Sequence, residues 1–190
     1  MPEILSTYNI IDVLTAFDVE EILNRNANSL SKRPDAPTPL GQNPDTVYMI
    51  TTLANAAYGY GQGPLQGVDQ GEAGSNLRIK ASVNDVIRWR TVSLTDTADY
   101  KCFLYRFTAI GPNRLGQVSY LTANVTEPYP APGWPDNNRV NEEPRADYYA
   151  QATVLSPGTE TYTFVVAIYD RHAQLKGYVT WDPYITITDR

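Results

Sequence analysis

The chain is poor in the residues that most often carry chemistry. Its 190 residues include one cysteine, one histidine, two methionines and four phenylalanines. A lone Cys102 excludes an internal disulfide, and its place between Tyr100 and Phe103 in an apolar stretch predicts a buried thiol. Val83, Asp85, Ile87 and Trp89 follow a strand spacing also found in copper-binding sandwiches. A blue-copper centre needs two His and one Cys, so one histidine rules it out. His172 follows Asp170-Arg171 with no G-x-S-x-G or comparable nucleophile motif to partner it, and is expected as an ordinary exposed turn residue. Long apolar runs are also missing. None approaches the roughly 20 residues that span a bilayer. Residues 1–20 lack the basic start and continuous apolar segment of a secretory signal, so a cytoplasmic protein is expected. Basic residues are short: fifteen Lys and Arg stand against twenty-one Asp and Glu, scattered along a chain of net charge −6. Nucleic acid and anionic membranes, which both need a positive surface, are therefore not expected partners.

What is plentiful points to strands and turns. There are fourteen Tyr, fourteen Pro and twelve Gly, with 42% hydrophobic and 19% charged residues, enough apolar surface for a packed core and too little charge for a disordered tail. We expect one domain over residues 1–190, all-β, as an antiparallel Greek-key sandwich of eight or nine strands with one short N-terminal helix and long loops. Strands are expected at Tyr8–Phe17, Thr46–Ala56, Lys101–Ile110, Val118–Asn124, Asp147–Val154, Thr161–Tyr169 and Tyr178–Ile187, with a bend at Trp181-Asp182-Pro183. Residues 77–91 read as a central hairpin. Its alternation sends Ile87 and Trp89 inward and Arg88 and Arg90 to water, with Asn84-Asp85 as the turn. Asp18, with Glu21 three places on, reads as a helix cap. Two proline-rich surface loops are expected, Asn24–Asp45 and Glu127–Pro144.

No residue set specifies a reaction. The glycine-rich Tyr58-to-Pro64 segment lacks the following helix and the lysine of a phosphate loop. Asp136, Asn137 and Asn138, with Glu142 and Glu143, offer oxygens to calcium without EF-hand spacing, so no cofactor is expected, calcium being the one candidate. Asp18, Glu20 and Glu21 suit a helix N-terminus. Aromatics set in polar loops are the remaining lead. Tyr58, Tyr60, Tyr129 and Trp134, with Asp136 and Asn137, could stack a sugar ring and bond its hydroxyls; the alternative is that the rings fold back over the ends of the sandwich.

The segments NIIDVLTAFDVEEIL (9–23), Tyr48-Met49-Ile50, NLRIKASVNDVIRWRTVSL (76–94) and GYVTWDPYITI (177–187) resemble, in that order, the bacterial PixA/AidA inclusion-body protein family over essentially the whole chain. The resemblance implies a small cytoplasmic protein, in some members under quorum-sensing control or gathered into inclusions, from bacteria associated with hosts. It brings no catalytic residues. The protein for which the family is named is methionine-rich, whereas this chain has only Met1 and Met49, so a sulfur store is not implied. The expected function is non-enzymatic recognition, most plausibly of carbohydrate, by a homo-oligomer. The alternative is a self-associating, accumulated protein with no small ligand.

Overall fold

The computed structural model describes residues 8–41, 44–56, 74–95 and 99–188. The chain enters as β1 (Ile10–Phe17), whose alternation buries Ile11, Val13 and Thr15 and exposes Ile10 and Asp12. Asp18 then caps α1 (Val19–Arg25) by accepting the Glu21 amide at 3.0 Å, and the helix buries Val19 and Ile22. Arg25 in its last turn pairs with Glu21 at 2.6 Å and Asp45 at 2.7 Å. After β2 (Thr38–Pro39) come β3 (Val47–Thr51), β4 (Leu77–Lys80), β5 (Val86–Ser93) and β6 (Tyr100–Ile110). The chain closes with β7 (Ser119–Pro130), β8 (Val140–Thr153), β9 (Gly158–Asp170), β10 (Leu175–Trp181) and β11 (Tyr184–Thr188).

Two sheets form the all-β sandwich. One is ordered β3-β1-β5-β8-β7; the other is built on β9, which pairs with β6, β10 and β11, while β2 extends β10 and β4 extends β11. The sheets are mixed where an antiparallel sandwich was expected, because β1 with β5, β2 with β10 and β4 with β11 run parallel. Among the described residues eleven strands replace eight or nine, since the 24–45 loop contributes β2 and the last strand divides into β10 and β11. That division is the expected bend. Trp181 faces Phe164 and Tyr184 faces Thr161 in one continued register, with Tyr162 N–H bonded to Pro183 O at 2.9 Å across the break.

Residues 77–91 do not form a hairpin. β4 pairs with β11 in one sheet and β5 with β1 and β8 in the other, so the turn between them is a corner from sheet to sheet. Asn84 takes φ +78°, and the fully buried Asp85 carboxylate accepts the Ser82 amide at 2.8 Å and the Asn9 amide at 2.7 Å. Alternation settles which side chains turn inward but not which strand lies alongside, so the inward set holds: Leu77, Ile79, Ile87 and Trp89 are all buried.

Between the sheets lies an aromatic core. Trp181 stacks on Phe164 with centroids 5.1 Å apart, Phe17 meets Trp181 edge-on at 5.4 Å, and Phe107 contacts Trp89, Tyr162 and Phe164 within 5.0 Å. Cys102 is buried in the same cluster, and burial pushes its thiol up to about 12. The 24–45 segment is held against the fold, because Leu30 sits where a side chain at Gly177 would have to go: a Cβ there would lie 2.5 Å from Leu30 Cγ.

Candidate functional site: the β7–β8 ribbon and two sheet edges

Half of the second expected loop is instead strand. β7 continues through Pro130 and β8 begins at Val140, paired residue by residue from Ser119 opposite Gln151 to Pro130 opposite Val140. Proline usually excludes a stretch from a strand because it cannot donate to the ladder. Here the ladder's phase accommodates it. The Ala131 amide bonds Arg139 O at 3.0 Å, and directly opposed residues of an antiparallel pair alternate between bonded and non-bonded pairs. Odd-numbered residues of β7 therefore face β8 with their backbone groups, and even-numbered ones face away. Pro128 and Pro130 occupy outward positions, and Pro144, opposite Thr126, is turned away from β7 by the same count.

Pairing of β8 with β5 stops at Ala150, where Trp89 lies opposite. Side chains carry the support three residues further. Tyr149 lies under the guanidinium groups of Arg88 and Arg90, each 5.2 Å from its ring; Arg90 pairs with Asp147 at 2.8 Å and with Asp12. The Arg88-Trp89-Arg90 segment thus clamps β1, β5 and β8 on the outer face while Trp89 fills the core. Outward of Ala146 the ribbon is exposed on both faces apart from half-buried Val125, Glu127 and Asn141.

At the tip, Trp134 is 48% exposed. The turn beneath it is braced by Trp134 N–H to Ala131 O at 3.1 Å, Asn137 Nδ2 to Pro132 O at 2.7 Å and Arg139 N–H to Asn137 Oδ1 at 2.9 Å. The structure therefore brings Tyr129, Trp134, Asp136 and Asn137 to one end of the ribbon, but the Asn137 amide is consumed by the turn. Tyr129 is exposed, with only the Asn141 amide at 3.5 Å from its hydroxyl. Tyr58 and Tyr60 lie outside the described residues. Neither the cavity of about 530 Å³ beside Leu23, Asn28, Leu30, Lys32 and Tyr100 nor that of about 450 Å³ between β6 and the start of β7 is lined by the tip residues. Among the described residues no group of three His, Cys, Asp or Glu side chains could hold a metal ion. His172 is exposed in the β9–β10 turn. No helix among the described residues is long and apolar enough to cross a membrane.

The feature that the residue pattern did not disclose is a difference between two sheet edges. β6 ends one sheet, and two of its outward carbonyls are met by hydroxyls from the other: Thr91 donates to Cys102 O at 2.6 Å and Tyr148 donates to Leu104 O at 2.9 Å. β7 ends the other sheet, and no described strand pairs with its far side. The one advance signal was the spacing of Pro128 and Pro130 beside the uncharged run Ser119–Thr126.

No curated protein matches the chain. Among solved structures, the crystal structure of an inclusion body protein (PixA) from Burkholderia cenocepacia J2315 is 19% identical, covers 98% of this chain and 99% of that one, and superposes with a TM-score of 0.72, which shows a shared fold. A cysteine protease inhibitor from Entamoeba histolytica (14% identity, 58% and 84% coverage) and Amebosin (13%, 60% and 90%) reach TM-scores of only 0.25 and 0.27, too low to support any argument. The family model described as PixA, inclusion body protein, matches residues 9–187, so the chain belongs to the PixA inclusion body protein family.

Proposed function

We propose that the protein acts without catalysis, by associating with copies of itself and accumulating in that form in the cytoplasm. The observation that carries this is the β7–β8 ribbon, whose pairing with β5 stops at Ala150 and which outward of Ala146 is exposed on both faces apart from half-buried Val125, Glu127 and Asn141. A two-stranded ribbon is marginal in water by itself, and an unpaired edge is a template for another chain. Membership of a family described by its inclusion bodies supports the same reading. Light scattering across a wide concentration range tests it: the mass should exceed that of one chain and rise with concentration. A chain that remains monomeric at the highest concentration reached overturns it.

A second reading is weak carbohydrate recognition at the ribbon tip, favoured by Trp134, whose half-exposed ring sits on a braced turn beside the exposed Asp136. One such site is worth about 4–5 kcal/mol, roughly millimolar binding, so useful affinity would need several copies. A glycan array run with and without calcium tests this reading. Binding to no glycan under either condition removes it.

A further inference from the structure

We infer that the open edge of β7 between Ser119 and Thr126 pairs antiparallel with the same segment of a second copy, joining two five-stranded sheets into one of ten. The inference rests on the self-association reading and specifies its contact. Its first support is the phase of the ladder. Because odd-numbered residues of β7 spend their N–H and C=O groups on β8, Tyr120, Thr122, Asn124 and Thr126 direct theirs away from it, and no described strand accepts them. An unmet row of backbone donors and acceptors is what strand addition uses.

Composition narrows the partner to another copy of this chain. Ser119–Thr126, Ser-Tyr-Leu-Thr-Ala-Asn-Val-Thr, has no charge and no proline, so two copies can approach without like charges meeting. The devices that blunt edge strands begin where it ends: Glu127 supplies charge, and Pro128 and Pro130 remove outward donors. They confine pairing to the inner half of the strand. Charge also selects direction. Arg106 lines the same cavity as Tyr120 at the inner end of the segment, whereas the outer end of the ribbon carries Glu127, Glu142 and Glu143 with Arg145 as counter-ion. Antiparallel pairing, with Tyr120 opposite Thr126 and Thr122 opposite Asn124 of the second copy, sets the cationic end of each segment beside the acidic end of the other. Parallel pairing would set like beside like. The match is isologous and closes on itself, so it yields a dimer. Larger assemblies then need a second contact.

The test exploits the phase. Proline at Thr122 and Asn124 removes two outward donors while leaving every β7–β8 bond in place, whereas proline at Ala123 removes a donor to β8. The inference expects Thr122→Pro/Asn124→Pro to lose the dimer in analytical ultracentrifugation while keeping the wild-type circular dichroism, and Ala123→Pro to lower the unfolding midpoint. A wild-type oligomer that the Thr122→Pro/Asn124→Pro variant forms equally well overturns the inference and leaves self-association standing. A monomeric wild type overturns both. Should the double variant fail to fold, hydrogen exchange on the wild-type protein decides: the amides of Thr122, Asn124 and Thr126 should slow several-fold on association, and unchanged rates across the concentration range overturn the pairing.

Discussion

The two sheets end in different ways on the same side of the molecule. β6 has two of its outward carbonyls answered by Thr91 and Tyr148, so the sandwich is closed there in part, with hydroxyls in place of a strand. β7 has backbone as regular and no described strand beside it. Both edges are made of β-forming residues, so propensity does not separate them. What separates them is whether the opposing sheet brings a hydroxyl within reach of an outward carbonyl or amide. A buried backbone group without a partner is costly, and an exposed one bonds water until another strand replaces it.

The largest expected effect removes the base from which both edges spring. Trp89 is 1% exposed, contacts Phe107 at 5.0 Å and lies opposite Ala150 at the last β5–β8 pair. Trp89→Ala should cost about 3–5 kcal/mol of unfolding free energy, read by urea titration. A change near zero would mean that the ring does not anchor the core. Its indole N–H has no partner among the described residues, so Trp89→Phe should recover most of that loss.

A more pointed change turns the closed edge into an open one. Thr91→Val with Tyr148→Phe keeps shape and removes the hydroxyls that meet Cys102 O and Leu104 O. Each lost bond to a part-buried carbonyl should cost about 1–3 kcal/mol, and β6 should then resemble β7 in offering its backbone to other chains. The expected result is a lower urea midpoint together with more association than wild type. An unchanged midpoint would mean that these hydroxyls do not protect the edge.

The same strand carries a pH-dependent contribution. Burial raises the Cys102 thiol from 9.0 to about 12, so between those values the folded chain keeps a proton that the unfolded chain releases. Protons held more tightly by the native state mean that stability, full below about 9, falls as pH rises toward 12. Tyr162 adds in the same direction, raised first by burial and then by the Glu160 carboxylate. Cys102→Ala should flatten the alkaline limb of a stability–pH curve. A limb of unchanged steepness would assign it to the tyrosines.

These contrasts also show which parts of the molecule are legible in local sequence. The Asp18 cap depends on residues three apart, and the inward Ile87 and Trp89 depend on alternation, so both follow from neighbours in the chain. The corner at Asn84-Asp85 has the same turn residues as a hairpin, and only the distant β1, β8 and β11 decide that its two strands part. Pro128, Pro130 and Pro144 signal a loop until the phase of the ladder is known, because one place along the chain separates a donor the sheet needs from one it can lose. Whether the aromatic residues at the ribbon tip face solvent or fold back over the sandwich was open in the sequence, and the Asn137 amide, expected to face a ligand, turns back to hold its own loop.

The smallest expected effect on stability lies at that tip. Trp134 is far from the core, half exposed, and its ring takes part in none of the aromatic pairs that bind the sheets. Trp134→Ala should change unfolding free energy by no more than about 0.5 kcal/mol, as for surface residues generally. Asn137→Ala should cost more, about 1–2 kcal/mol, because Pro132 O and the Arg139 amide lose their partner. The ordering is informative in itself. A turn whose buttress matters and whose ring does not is a rigid mount for a side chain with no structural task, and that supports a role for Trp134 in contact with another molecule. If Trp134→Ala destabilises as much as Asn137→Ala, the ring is part of the buttress, and the tip loses its standing as a recognition surface.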